Sequence, residues 1–254
     1  MPDLPIPGSD LDFAAACLVV VLASAAQAVT GFGFALVLVP LLALVYDPRL
    51  VVVVSISLGL VCKLPLLLAS WRRVQLLRIA PLALAAVVGT FFGTQLLLRV
   101  DPDVLRLALG CIVVLLASPM LLDFRRPVVR ERLASLGVGF ASGVLGGATS
   151  MGGPPVVLLG VNQGWAKESF RANLLAFFVV SNTSSLVNLA GAGALTRPAL
   201  TLDLLLVPAT AAGILAGSWL FGRIDADRFR RLVVLLVIAT GLLSIWTGAR
   251  ALLG

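Results

Sequence analysis

Runs of about twenty apolar residues, separated by short gaps rich in arginine, proline and glycine, constrain this chain more than any other feature. They fall at about 13–30, 33–46, 50–70, 76–98 and 104–122, then at 133–149, 154–164, 170–192, 202–222 and 231–249. Most match the ~20 residues a helix needs to cross a ~30 Å hydrocarbon core at 1.5 Å per residue. The runs 33–46 and 154–164 reach only part of the way. Only 12% of the 254 residues are charged and 60% are hydrophobic, so most helices have no wet face and their solvent is lipid. The expected fold class is an all-α integral membrane protein.

The formal net charge of +7 invites a nucleic-acid reading, but the basic residues sit in the gaps between apolar runs, as topogenic charges do. Nucleic acid is therefore not an expected partner; the lipid bilayer is. With the N-terminus outside and every run changing side, the inside loops hold thirteen Lys and Arg and the outside loops five. Both termini are then expected outside. The N-terminal stretch carries Asp3, Asp10 and Asp12 and no basic residue, unlike a signal peptide, so the first run is expected to be retained. Cys17, Cys62 and Cys111 lie in apolar runs without CxxC spacing and read as small hydrophobes. No metal or cofactor is implied.

The chain also repeats itself. Gly89 to Arg106 aligns without a gap on Gly213 to Arg230, a shift of 124, with Gly, Gly, Leu, Arg, Asp, Asp and Arg coinciding. A shift of 120 lays Thr30-Gly-Phe-Gly33 on Ser150-Met-Gly-Gly153. Two matches in the same order point to a duplication into repeats 1–124 and 125–254. Five runs per repeat is an odd number, so the second repeat enters from the opposite side, an inverted repeat. If 13–46 and 133–164 are re-entrant hairpins, the parity is unchanged. Ten crossings and six crossings plus two hairpins both fit the charge bias.

Two glycine-rich breaks precede the short runs: Thr30-Gly31-Phe32-Gly33-Phe34 and Gly146 to Pro155, containing Thr149, Ser150, Met151, Gly152 and Gly153. Glycine and proline at this density stop a helix, and irregular backbone inside a membrane needs protein or a wet cavity to satisfy it. Each short helix then begins at the break. A helix N-terminus carries free N–H groups and about half a positive charge, so two such ends meeting near the midplane form an anion site. The alternative is close packing of helices on glycine. Neither break is a nucleotide loop, because no GK[ST] follows.

Three further features bear on the site. A polar stripe, Asn173, Ser181, Asn182, Thr183, Ser184, Ser185 and Asn188, either lines a wet path or bonds helix to helix. Lys63 lies inside an apolar run, where a charge costs about 2.5–3.5 kcal/mol on insertion scales. It either snorkels toward Trp71 or supplies positive potential to an anion. All twelve Asp and Glu are read at segment ends or in loops, and there is no histidine. Hydrolytic chemistry then has no residues to carry it, and anion export down the membrane potential needs no coupling ion.

The TGFGF break, the GGATSMGGPP break and the inverted halves resemble the TauE/SafE sulfite exporter family, from about Ala15 to Ala249. The resemblance implies a bacterial inner-membrane transporter, not an enzyme, for sulfite or an organosulfonate such as sulfoacetate. Its substrate residues are expected among Thr30, Gly31, Phe32, Gly33, Lys63, Thr149, Ser150, Met151, Gly152, Gly153, Asn173 and Asn182.

Overall fold

Glycine, proline and one acidic cap set several helix boundaries in this protein. A computed structural model describes residues 10–101 and 131–220, with single positions at 104, 107, 111, 242, 245, 246 and 249. Apart from those single positions, the expected runs 104–122 and 231–249, the residues around Asp3, the basic loop at 125–130 and the repeat stretch after Leu220 lie outside the described residues. The elements are α1 (Asp10–Thr30), α2 (Phe34–Leu42), α3 (Pro48–Ser70), α4 (Leu76–Arg99), α5 (Glu131–Thr149), α6 (Gly153–Asn162), α7 (Lys167–Gly191) and α8 (Arg197–Leu220), with a 3₁₀ turn at Trp71–Arg73. Five of them, α1, α3, α4, α7 and α8, are long and apolar enough to cross a membrane. With 9 and 10 residues, α2 and α6 span only about half of a hydrocarbon core.

The α3 start shows the local logic. The Asp47 side chain accepts hydrogen bonds from the N–H groups of Arg49 (2.9 Å) and Leu50 (3.1 Å), and Pro48 occupies the first turn, where its missing N–H costs nothing. At the first break, Gly31 and Gly33 take φ of +80° and +107°, which reverses the chain between α1 and α2.

Close packing on small residues then sets helix direction. Gly139, Gly143 and Gly147 of α5 face Leu82, Ala86 and Thr90 of α4 in ascending order, so these two helices run parallel. Gly213 and Gly217 of α8 face Val21 and Ala25 of α1, again in parallel. Ser57 of α3 meets Asp203 of α8, and the starts of α3 and α8 share one groove, so they too run the same way. Gln75 and Thr90 of α4 meet Asn173 and Ser184 of α7 in the same sense. Helices α1, α3 and α8 therefore point one way, and α4, α5 and α7 the other.

The short helices fold back. Tyr46, which follows α2, is close enough to Asp12 and Cys17 near the start of α1 that both, after the larger effect of burial, push its phenol above the usual value. On the other side, Glu131 at the start of α5 pairs with Arg78 (3.7 Å), and Asn173 near the start of α7 accepts from the Gln75 N–H (2.8 Å). Helices α5 and α7 thus both begin beside the start of α4. The pairs α1/α2 and α5/α6 are hairpins that return to their own starting level.

Unlike a soluble protein, this one carries large apolar side chains outside as well as in its core. Leu68, Leu77, Leu84, Leu204 and Leu215 stand outward on the long helices, Leu77 at 93% exposure. An apolar surface of this extent is lipid-facing.

Candidate functional site

The two breaks share one backbone design. In the first, the Thr30 hydroxyl donates to the Ala26 carbonyl (2.8 Å) and accepts from the Phe32 N–H (3.2 Å), while the Gly31 N–H reaches the Gln27 carbonyl (2.8 Å). In the second, Thr149 donates to the Leu145 carbonyl (2.7 Å) and accepts from the Met151 N–H (3.1 Å), while the Ser150 N–H reaches Gly146 (2.8 Å). Gly31 and Ser150 occupy matching positions, with φ of +80° and +62°. The local shift between the breaks is therefore 119, one less than the match of Thr30-Gly-Phe-Gly33 on Ser150-Met-Gly-Gly153. At this shift Lys63 aligns with Asn182.

Both residues line a cavity between the breaks, together with Gln27, Gly33, Phe34, Ala35, Leu36, Ser150, Met151, Gly153 and Phe178. Its volume, about 20 Å³ for the centres of water-sized spheres, holds a water or two. Lys63 is 5% exposed. Its Nζ donates back to the Gly59 carbonyl (3.1 Å), away from Trp71, and lies 5.5 Å and 5.7 Å from the ring centres of Phe34 and Phe178. The ammonium is thus held between two ring faces, and the snorkelling alternative does not describe it. Among the described residues no carboxylate pairs with it. Asn182 donates to the Ile56 carbonyl (3.1 Å), and Ser150 shares a hydrogen bond with Ser55 (2.9 Å).

The helix ends are unequal. At α2, the Phe34 N–H donates to the Gln27 side chain (3.2 Å), whose amide donates to the Gly31 carbonyl (2.8 Å). Ala35 and Leu36 beside it line the cavity at the turn where helix N–H groups lack carbonyl partners. At α6, Pro154 and Pro155 follow Gly153 and remove two of those donors. Positive potential at this cavity therefore comes mainly from Lys63 and the α2 end.

The family model described as Sulfite exporter TauE/SafE matches residues 16–244. The chain belongs to that family. No curated protein and no solved structure matches it. Membership, with the five long apolar helices, makes this TauE/SafE protein a multi-pass membrane protein of a transporter family.

Not all the residues expected at the TauE/SafE site reach the cavity. Gly33, Lys63, Ser150, Met151, Gly153 and Asn182 do. Thr30 and Thr149 use their hydroxyls within the breaks, and Phe32 is buried in the core. Gly31 packs on Arg171, and Gly152 on Ser142 and Gly146. Asn173 lies at the start of α4, bonded to Gln75. The polar stripe divides likewise: Ser184 bonds to Thr90 (2.8 Å) across helices, whereas Asn182 faces the cavity. Gln27, Phe34 and Phe178 are additions. A lone glutamine near a helix end and phenylalanines in apolar runs carry no distinguishing sequence signal.

One expectation is corrected. Asp203, read as a segment-end acid, lies six residues inside α8, because the helix begins earlier, at Arg197 and Pro198. Its Oδ2 is bonded to the Ser57 hydroxyl of α3 at 2.5 Å, and its Oδ1 is buried without a partner.

Proposed function

We propose that this TauE/SafE protein is a secondary transporter of a small oxidised-sulfur anion, sulfite or an organosulfonate such as sulfoacetate, working as an exporter in a bacterial inner membrane. Residues 1–124 and 125–254 form two inverted repeats, and alternating access occurs around the cavity between α2 and α6. The observation that carries the reading is Lys63: a buried ammonium, unpaired with any described carboxylate, in a cavity that also receives a helix N-terminus. An anion there supplies the missing counter-charge.

Helix direction supports the inversion. The series α1, α3, α4 runs up, up, down, and its counterparts α5, α7, α8 run down, down, up. The contacts also correspond: Gly89 and Gly93 of α4 meet Phe140 and Val144 of α5, and Gly213 and Gly217 of α8 meet Val21 and Ala25 of α1, with the glycines matching at a shift of 124 and their partners at 119. Termini outside follow from the loop charges, and an inside-negative potential favours outward movement of anions.

Sulfite efflux from proteoliposomes tests the proposal. Wild-type flux is expected to saturate with sulfite. Lys63→Met is expected to lower it about tenfold or more, the equivalent of ~1.4 kcal/mol of lost anion stabilisation, with insertion intact. Unsaturable flux with single-channel currents would reject a carrier, and full activity in Lys63→Met would reject the site.

A further inference from the structure

The seam between α3 and α8 holds a second ionisable site, apart from the anion cavity. Asp203 is half-buried there, with Oδ1 fully enclosed and unpartnered and Oδ2 against Ser57. The Ser57 hydroxyl has one hydrogen, yet three acceptors lie in reach: the carbonyls of Val53 (3.0 Å) and Val54 (3.2 Å) and Asp203 Oδ2 (2.5 Å). If Asp203 carries a proton on Oδ2, it donates to Ser57 and Ser57 donates to Val53, so every hydrogen is used. If Asp203 is ionised, Ser57 must abandon its carbonyls, and the charge on Oδ1 faces an apolar seam.

Two neighbouring features connect this pair, one to the anion cavity and one to the surface. Consecutive α3 residues touch three different parts: Ser55 bonds Ser150 of the second break, the Ile56 carbonyl accepts from Asn182 in the cavity, and Ser57 bonds Asp203. A groove lined by Asp47, Arg49, Val53 and Ala199 ends at residues one helical turn before Ser57 and Asp203. The described charged side chains on the elements packed against α3 and α8 are Asp47 at the cap of α3, Arg49 and Lys63 on α3, Asp12 on α1, Arg197 on α8 itself, Arg72 and Arg73 in the 3₁₀ turn, and Glu168 and Arg171 near the start of α7. None pairs with Asp203, whose polar partner is Ser57. At shifts of 119 for Ser57 and 124 for Asp203, the counterparts are Ala176 and Ile79, both apolar.

We propose that the Asp203–Ser57 pair is a proton-binding site, linked through residues 55–57 of α3 to the anion cavity, so that anion transport is coupled to binding and release of a proton at Asp203. The proton leaves Asp203 Oδ2 for water in the groove when the α3/α8 seam opens and returns to the same oxygen when it closes. This deepens the transporter reading and rests on it, and it replaces the expectation that no coupling ion is needed.

Two measurements test it. In proteoliposomes with the membrane potential clamped at zero, an imposed pH gradient is expected to drive net sulfite movement by the wild type. Asp203→Asn is expected to retain sulfite-for-sulfite exchange and lose the gradient-driven movement, which also subtracts any effect of pH on sulfite itself. Difference infrared spectra of the purified proteins are expected to show a protonated-carboxyl band that titrates in the wild type and is lost in Asp203→Asn. Ser57→Ala, which removes the partner and keeps the acid, is expected to shift that titration. Unchanged gradient-driven movement in Asp203→Asn, or an infrared spectrum identical to wild type, overturns the proposal. Absence of any sulfite exchange in the wild type instead overturns the sulfite reading, and the infrared band then decides the proton site alone.

Discussion

The glycines of the first break differ in what a side chain would meet. At Gly31, with φ +80°, an added Cβ would lie 2.8 Å from Arg171 Cγ, so strain and collision combine. At Gly33, with φ +107°, the nearest atom would be Thr30 Oγ1 at 3.7 Å, so only backbone strain remains. Strain of this kind costs roughly 1–3 kcal/mol. Thermal unfolding in detergent should show both Gly31→Ala and Gly33→Ala destabilised, the former by more; equal losses would mean that Arg171 moves aside freely. Lys63 and Asn182 were legible in the sequence because a charge and an amide stand out in apolar runs. Gln27 was not, since a glutamine near a helix end has many ordinary uses, and its role here depends on the seven-residue reach to the Phe34 N–H.

At the scale of elements, the α4/α5 seam depends on backbone meeting backbone. A Cβ on Gly143 would lie 2.8 Å from Ala86 Cα, and one on Gly147 2.7 Å from the Thr90 carbonyl oxygen. Gly137, in the same helix, has nothing within 4 Å. Gly143→Leu is therefore expected to abolish the folded, monodisperse protein on size exclusion, whereas Gly137→Leu leaves it intact; similar behaviour of the two would refute the seam. Apolar runs located α1, α3, α4 and α7 to within a few residues, because lipid imposes the same polarity on every exposed position. Charge does not separate re-entrant hairpins from pairs that cross twice, since both bring the chain back to one side and leave the same parity. Asp203 was misread because an apolar run marks where polarity changes, not where a helix starts, and Pro198 begins α8 before the run does.

For the whole molecule, helix direction makes a labelling prediction. In a background lacking Cys17, Cys62 and Cys111, membrane-impermeant thiol reagents are expected to reach cysteines at Arg72 and Ala166 from one face, and at Val45 and Ala192 from the other. All four positions are exposed. Labelling of Arg72 and Ala166 from opposite faces would contradict the returning α5/α6 hairpin. The proposed duplication rests on glycine spacing, which persists where backbones touch, and its offset drifts: 119 at the breaks and 124 at the last glycine pairs. An insertion between helices shifts numbering without moving a contact.

The two rings around Lys63 have one more consequence. A Cβ added at Gly59 would lie 3.3 Å from the Phe34 ring and one at Gly153 3.3 Å from the Phe178 ring, and one ring comes from each side of the proposed duplication. In the alternating access proposed above, rocking one repeat against the other separates the rings and uncovers the ammonium between them. The centre of the protein then behaves as a capacitor with movable plates, its positive charge muffled when closed and presented at full strength when open, so attraction for the passenger and permission to move arise from one displacement.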